Sequence, residues 1–204
     1  MPFKKLLPIL QENIAQLGFT DATPFQKLII PKIKGGTNLF CIAPKGSGKS
    51  TALALVVIQR LNGTMLDDVP RALIYVKDRQ AALELEAVFK TFLKDTDLRI
   101  YSAYEEPKIS NQRDDIYAGM DIVIATPKRL SKLYYMNGIN LGRLQLLIVE
   151  DAEFIFDNSG HTDVDRITES LNKCQYLVFN DKFSDRMERL QGLFMENAQI
   201  IEMK

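Results

Sequence analysis

Residues 39–50 read Leu-Phe-Cys-Ile-Ala-Pro-Lys-Gly-Ser-Gly-Lys-Ser. An apolar run that breaks into a glycine-rich turn and then into helix-forming residues constrains this fold more than any other segment. Leu39–Ile42 has the continuous hydrophobicity of a strand buried on both faces, as parallel sheets require. Gly46 and Gly48 let the backbone turn inward, so that its N–H groups can face phosphate oxygens. A helix opening near Lys49 adds its positive end at the same point. In that context Lys49 is expected to reach β- and γ-phosphates, and Ser50 to hold Mg2+. Pro44, Lys45, Ser47 and Thr51 complete the expected cradle. The bland alternative is a basic turn before a helix, but strand context, spacing and the Lys-Ser pair argue jointly against it.

The rest of the chain alternates in the same manner. Helices are expected over residues 6–17, 24–35, 49–61, 79–93, 111–117, 127–135, 164–171 and 185–194. Strands are expected over 39–42, 72–76, 98–103, 121–125, 144–149, 176–179 and 198–201. This alternation predicts an α/β fold, a mostly parallel twisted sheet with helices on both faces and right-handed crossovers. Residues 1–204 read as a single domain with no repeat, linker or low-complexity tract. The loopiest stretches are 62–70 and 105–110.

Composition excludes several classes. With 46% hydrophobic and 25% charged residues, the chain is ordinary globular protein rather than disordered. Lys+Arg and Asp+Glu number 26 each, so a strongly basic nucleic-acid glue is excluded, while local basic patches are not. Two cysteines, Cys41 and Cys174, are too few for a disulfide framework and read as buried, reduced thiols. No run approaches the roughly 18 apolar residues of a membrane span. The N-terminus reads as a helix, not a signal peptide, and a cytoplasmic location is expected. The single histidine, His161, has no Cys/His cluster around it that would indicate zinc.

A second strand, over 144–149, ends in Glu150-Asp151-Ala152-Glu153. Carboxylates at the end of a buried strand suit an acid that organises Mg2+ and one that orients water. Glu150 is assigned the first role and Asp151 the second. The alternative is a solvated acidic loop. Lys77, Arg79, Lys128 and Arg129 each follow a strand and could converge on one rim as phosphate contacts or stand as ordinary surface charge. Tyr134 and Tyr135 read as helix packing, with base stacking as the alternative.

Together these residues resemble the N-terminal RecA-like domain of DEAD-box RNA helicases across nearly the whole chain. Gly18-Phe19, Thr23-Pro24 and Gln26 resemble that family's Q motif, within residues 1–36, and the P-loop core follows in 37–204. The resemblance implies that Gln26 reads adenine, with Phe19 and Thr23 beside it and Phe3 as the upstream aromatic packing on the base. It implies ATP and Mg2+ as cofactors and RNA as partner. Thr126-Pro127-Lys128-Arg129 resembles a Thr-Pro-Gly-Arg motif contacting RNA backbone, and Arg79 survives from Pro-Thr-Arg-Glu-Leu-Ala in Lys77-Asp78-Arg79-Gln80-Ala81-Ala82.

The departures matter as well. The Asp-Glu-Ala-Asp motif appears with each acid exchanged for the other, which leaves Asp151 one methylene short as a water-orienting acid. A misplacement of about 1 Å can cost on the order of 10²-fold in rate. Shifting the strand by one residue would bring Asp151 to the metal, but would flip every side chain to the other face. The family's Ser-Ala-Thr motif falls on Asn180-Asp181-Lys182, so both hydroxyls are gone and a charge is introduced. The family's second RecA-like domain has no counterpart here and is expected in cis or in trans. The leading expectation is the ATP-binding half of an RNA helicase, inactive or very weak alone. The alternatives are a degenerate, non-catalytic module binding RNA or protein, and another P-loop class such as a small-molecule kinase, for which neither lid nor substrate base is evident.

Overall fold

The structure is a computed structural model describing residues 2–156, 160–171 and 173–203. Among these residues seven strands form one sheet: β1 (Leu39–Ile42), β2 (Ala72–Tyr75), β3 (Ile100–Ala103), β4 (Ile122–Ala125), β5 (Leu146–Glu150), β6 (Gln175–Asn180) and β7 (Gln199–Glu202). Their spatial order is β3-β4-β2-β5-β6-β1-β7, and every pairing is parallel. The expected fold class is therefore the observed one.

Among the described residues eight α-helices cover the two faces. On one lie α1 (Pro8–Gln16), α2 (Pro24–Lys34), α3 (Lys49–Arg60) and α4 (Arg79–Phe92). On the other lie α5 (Ile109–Tyr117), α6 (Pro127–Tyr135), α7 (Gly160–Glu169) and α8 (Asp185–Gln191). The period-2 geometry of strands splits the core accordingly. Leu39, Cys41, Ile74, Ile124, Ile148 and Phe179 pack on the first face, and Phe40, Ile42, Tyr75, Val123, Val149 and Val178 on the second.

Boundaries moved where local chemistry decided them. The first helix starts at Pro8, not residue 6, because a residue before proline is driven out of the helical region; Leu7 is extended at φ −54°, ψ 144°. Residues Pro2–Lys5 form a 3-10 turn instead, with Lys4 and Lys5 exposed. The acidic stretch after β5 is a 3-10 helix, Ala152–Phe156, whose Ala152 and Ile155 are buried; a wholly solvated loop is thus excluded. Residues 98–99 precede β3, where Arg99 is bonded to Asp121. Tyr134 packs on the second core as expected, whereas Tyr135 is exposed, with its hydroxyl accepting from Arg166 at 2.7 Å. Among the described residues no helix is long and apolar enough to cross a membrane.

Candidate functional site

The C-terminal ends of β1, β5 and β6 bring the site together. Behind β1, Gly46 and Gly48 take positive φ, 82° and 88°, so the loop before α3 needs glycine there. A cleft of about 550 Å3 opens beside it, lined by Lys45, Gly46, Gly48, Lys49, Ser50 and Thr51 from the loop and α3. Lys77 and Glu84 line it from the β2–α4 side, and Glu150, Asp151, Asn180 and Asp181 from β5 and β6. The expected phosphate-binding and acidic residues thus share one cleft. Pro44, exposed, and Ser47, buried, belong to the loop but not to the cleft wall.

Strand parity decides which acid faces the loop. Leu146 and Ile148 pack on the α3 face, and Glu150 continues that row. Ser50 donates from Oγ to Glu150 Oε1 at 3.0 Å. Asp151 lines the same cleft from its other side: its backbone is left-handed at φ 58°, its side chain is half exposed, and Lys77 lies 3.6 Å away. The unshifted register is thus the one the structure adopts. Burial raises the Glu150 carboxyl above its ordinary range, against the opposing hydrogen bond from Ser50. A bound cation would replace the solvation that Glu150 has lost.

Lys49 lies under the loop. Its Nζ donates to the carbonyls of Ala43 and Pro44 and to Asp181 Oδ1, the last at 2.7 Å. Asn180 points to the opposite face, where its Nδ2 donates to Glu153 Oε1 at 3.3 Å; Ser184 donates to the same oxygen at 3.0 Å. The sequence places Asn180 and Asp181 at the Ser-Ala-Thr position but not in this cleft, although strand alternation through 177–181 carries that signal.

The residues expected to meet a base are held differently. Thr23 donates to Ser47 O at 2.8 Å, and Gln26 Nε2 to Gly48 O at 3.2 Å. Gln26 Oε1 accepts from Thr23 N at 3.0 Å, so both ends of its amide have partners. Phe3 packs on the first core, and Phe19 stacks on Phe92 with centroids 6.5 Å apart. None of these four lines the cleft.

Lys77 lines the cleft, whereas the part of the basic rim that carries Arg79 and Arg129 gathers on the loop after β3, because β2, β4 and β3 are neighbours. It meets carboxylates of the same chain. Arg79 pairs with Glu106 at 2.5 Å, and Thr126 donates to Glu105 Oε2 at 2.9 Å. Arg129 is buried and donates to the carbonyls of Glu105 and Pro107, so it braces the loop after β3. Lys128 remains exposed. At the opposite ends of the strands a second cavity, about 590 Å3, is lined by residues such as Tyr117, Tyr134 and Lys173, away from this chemistry.

A family model described as DEAD/DEAH box helicase matches residues 23–182, which include Thr23, Gln26, the glycine loop and the acidic strand ends. The chain belongs to that family. A DEAD-box ATP-dependent RNA helicase 52A of Oryza sativa subsp. japonica is 27% identical over 94% of this chain and 35% of its own. A pre-mRNA-processing ATP-dependent RNA helicase prp-5 of Neurospora crassa is 31% identical over 90% of this chain and 16% of its own. The chain therefore spans about a third or less of these DEAD-box relatives. In structure, a DEAD box protein from the hyperthermophile Methanococcus jannaschii aligns with TM-score 0.90 at 22% identity, covering 98% of this chain and 55% of that one. This likeness shows the RecA-like fold.

Proposed function

We propose that this domain is the ATP-binding, N-terminal RecA-like half of an ATP-dependent RNA helicase. The observation that carries the reading is the Ser50–Glu150 hydrogen bond of 3.0 Å in a cleft that also holds Lys49. A hydroxyl and a desolvated carboxylate together suit one small, hard cation, and the lysine suits the phosphates that share it. The glycine loop offers main-chain N–H groups to phosphate oxygens. Among the described residues no cluster of three metal-ligating side chains occurs. Mg2+ would therefore be held by Ser50, Glu150, water and the nucleotide's own phosphates.

Bound Mg2+ would neutralise charge developing on the transferred phosphoryl group. In this reading Lys49 holds the outer phosphates, Asp151 orients water, and Gln26 would read adenine by releasing its bonds to Thr23 N and Gly48 O, while Phe3 and Phe19 stay packed within the fold. RNA phosphates would meet Lys128, and Arg79 and Thr126 once Glu106 and Glu105 are displaced, while Arg129, expected among these contacts, is buried and braces the loop beneath them. A second RecA-like domain closes the site and permits hydrolysis, and the protein works in the cytoplasm. Calorimetry with Mg-ADP tests the first step. The wild-type chain is expected to bind, Lys49→Ala to lose binding, and Glu150→Gln to lose the Mg2+-dependent gain. No heat with wild-type protein at millimolar Mg-ADP overturns the reading.

A second reading, a non-catalytic helicase-like module, is favoured by the ion pairs that engage both Lys49 and Asp151 within the chain. RNA-stimulated ATPase activity that disappears in Lys49→Ala would sink it.

A further inference from the structure

The ion pair between Lys49 and Asp181 links the phosphate loop to the adjacent strand end. Ile42 of β1 is paired with Asn180 of β6, and Ala43 N donates to Asn180 O at 3.1 Å, so Asp181 sits level with the start of the loop. Leu177 and Phe179 face the α3 side, and the strand's alternation carries Asp181 to that side too. Its Oδ1 lies 2.7 Å from Lys49 Nζ. The side chains are 15% (Lys49) and 37% (Asp181) exposed, so solvent screens the pair only in part.

We propose that Asp181 is a specificity-determining residue, a built-in anion that competes with the terminal phosphate of a nucleoside triphosphate for Lys49 and biases the cleft toward diphosphates. The inference rests on the nucleotide-binding reading of the same cleft and adds a direction to it. Inner phosphates can be held by the N–H groups of the loop, which Asp181 does not occupy. Lys49, assigned above to the outer phosphates, lies under the loop with its charge already partnered by Asp181. A triphosphate with Mg2+ carries one more negative charge than a diphosphate with Mg2+. That extra charge must displace the Asp181 carboxylate from Lys49 or lie against it, and like charges at this range repel. Asp181 offers no donor to a phosphate oxygen, whereas an amide or hydroxyl in its place would.

Titration of the chain with Mg-ADP and with a non-hydrolysable Mg-ATP analogue tests this, for wild type, Asp181→Asn and Asp181→Ser. Wild type is expected to favour the diphosphate. Both variants are expected to gain about tenfold in triphosphate affinity, a modest share of the full Coulomb interaction because the pair is partly exposed, with diphosphate affinity changing by less than about twofold. Thermal melts of the variants confirm that both are folded. An unchanged ratio of the two affinities, with Mg-ADP still bound, overturns the proposal alone, as does an equal gain for both nucleotides. Failure of all three proteins to bind either nucleotide overturns the nucleotide-binding reading, and this proposal with it.

Discussion

Gln26 and Gly48 are locked together: the side-chain amide donates to the glycine carbonyl at 3.2 Å, and a Cβ added to Gly48 would meet that amide nitrogen at 2.6 Å. The capping residues of α2 thereby double as a bracket for the loop before α3. Thr23 accepts from Gln26 N and donates to Ser47 O. Gly48→Ala is expected to lose roughly 1–2 kcal/mol from the left-handed backbone alone, and more from displacing Gln26. Urea denaturation measures both parts. Adding Gln26→Ala should recover only the contact part, so a double variant as stable as wild type would contradict this account.

Asp121, wholly buried at the entry to β4, anchors the far end of the sheet. Its Oδ1 accepts from Arg71 at 2.7 Å and from Leu66 N at 3.3 Å; its Oδ2 accepts from Arg99 Nε at 3.0 Å and Arg99 N at 3.1 Å. Removing one partner of a buried pair leaves the other charge unpaired. Asp121→Ala should therefore destabilise the fold by about 3–5 kcal/mol. Equilibrium denaturation should show Asp121→Asn milder, since its amide still accepts one bond. A loss below about 1 kcal/mol for the alanine would show that water replaces the network.

Glu105 and Glu106 occupy Thr126 and Arg79, the residues proposed above to meet RNA phosphates. Glu105→Gln with Glu106→Gln should therefore tighten binding of a single-stranded RNA homopolymer and steepen its salt dependence, because freed cations release counterions on binding. Fluorescence anisotropy at two salt concentrations reads both. Unaltered affinity and slope would mean that RNA does not use this rim.

Burial pushes the Cys174 thiol up to about 12 from an ordinary 9.0, and Cys41, fully buried, higher still. Native protein at pH 8 should react slowly with a thiol reagent, and unfolded protein should show two fast thiols. The native state keeps these protons when the unfolded chain has lost them. Stability should therefore fall as pH rises from about 9 toward 12, and be unaffected by these groups below 9. Cys174, expected to be buried, is only partly so, and Cys41 is fully buried; rapid labelling of two thiols in the native protein at pH 8 would contradict the placement of Cys41.

Much of this molecule was legible in residues 39–50 and in the alternation around them. Apolar run, glycines and helix start are local properties, and period 2 places Glu150 on the α3 face without any knowledge of the partner strand. The threonine-to-glutamine spacing at Thr23 and Gln26 likewise announces a helix start. What sequence could not supply is which charge meets which. The strand order sets β6 beside β1, and only that adjacency turns Asp181, an ordinary strand-end acid, into the partner of Lys49. The same holds for the rim, where β3 beside β4 brings Glu105 onto Thr126. Local backbone preference determined the elements and the cradle; long-range strand pairing decided which charges neutralise one another, because electrostatic contacts follow distance in space rather than distance along the chain.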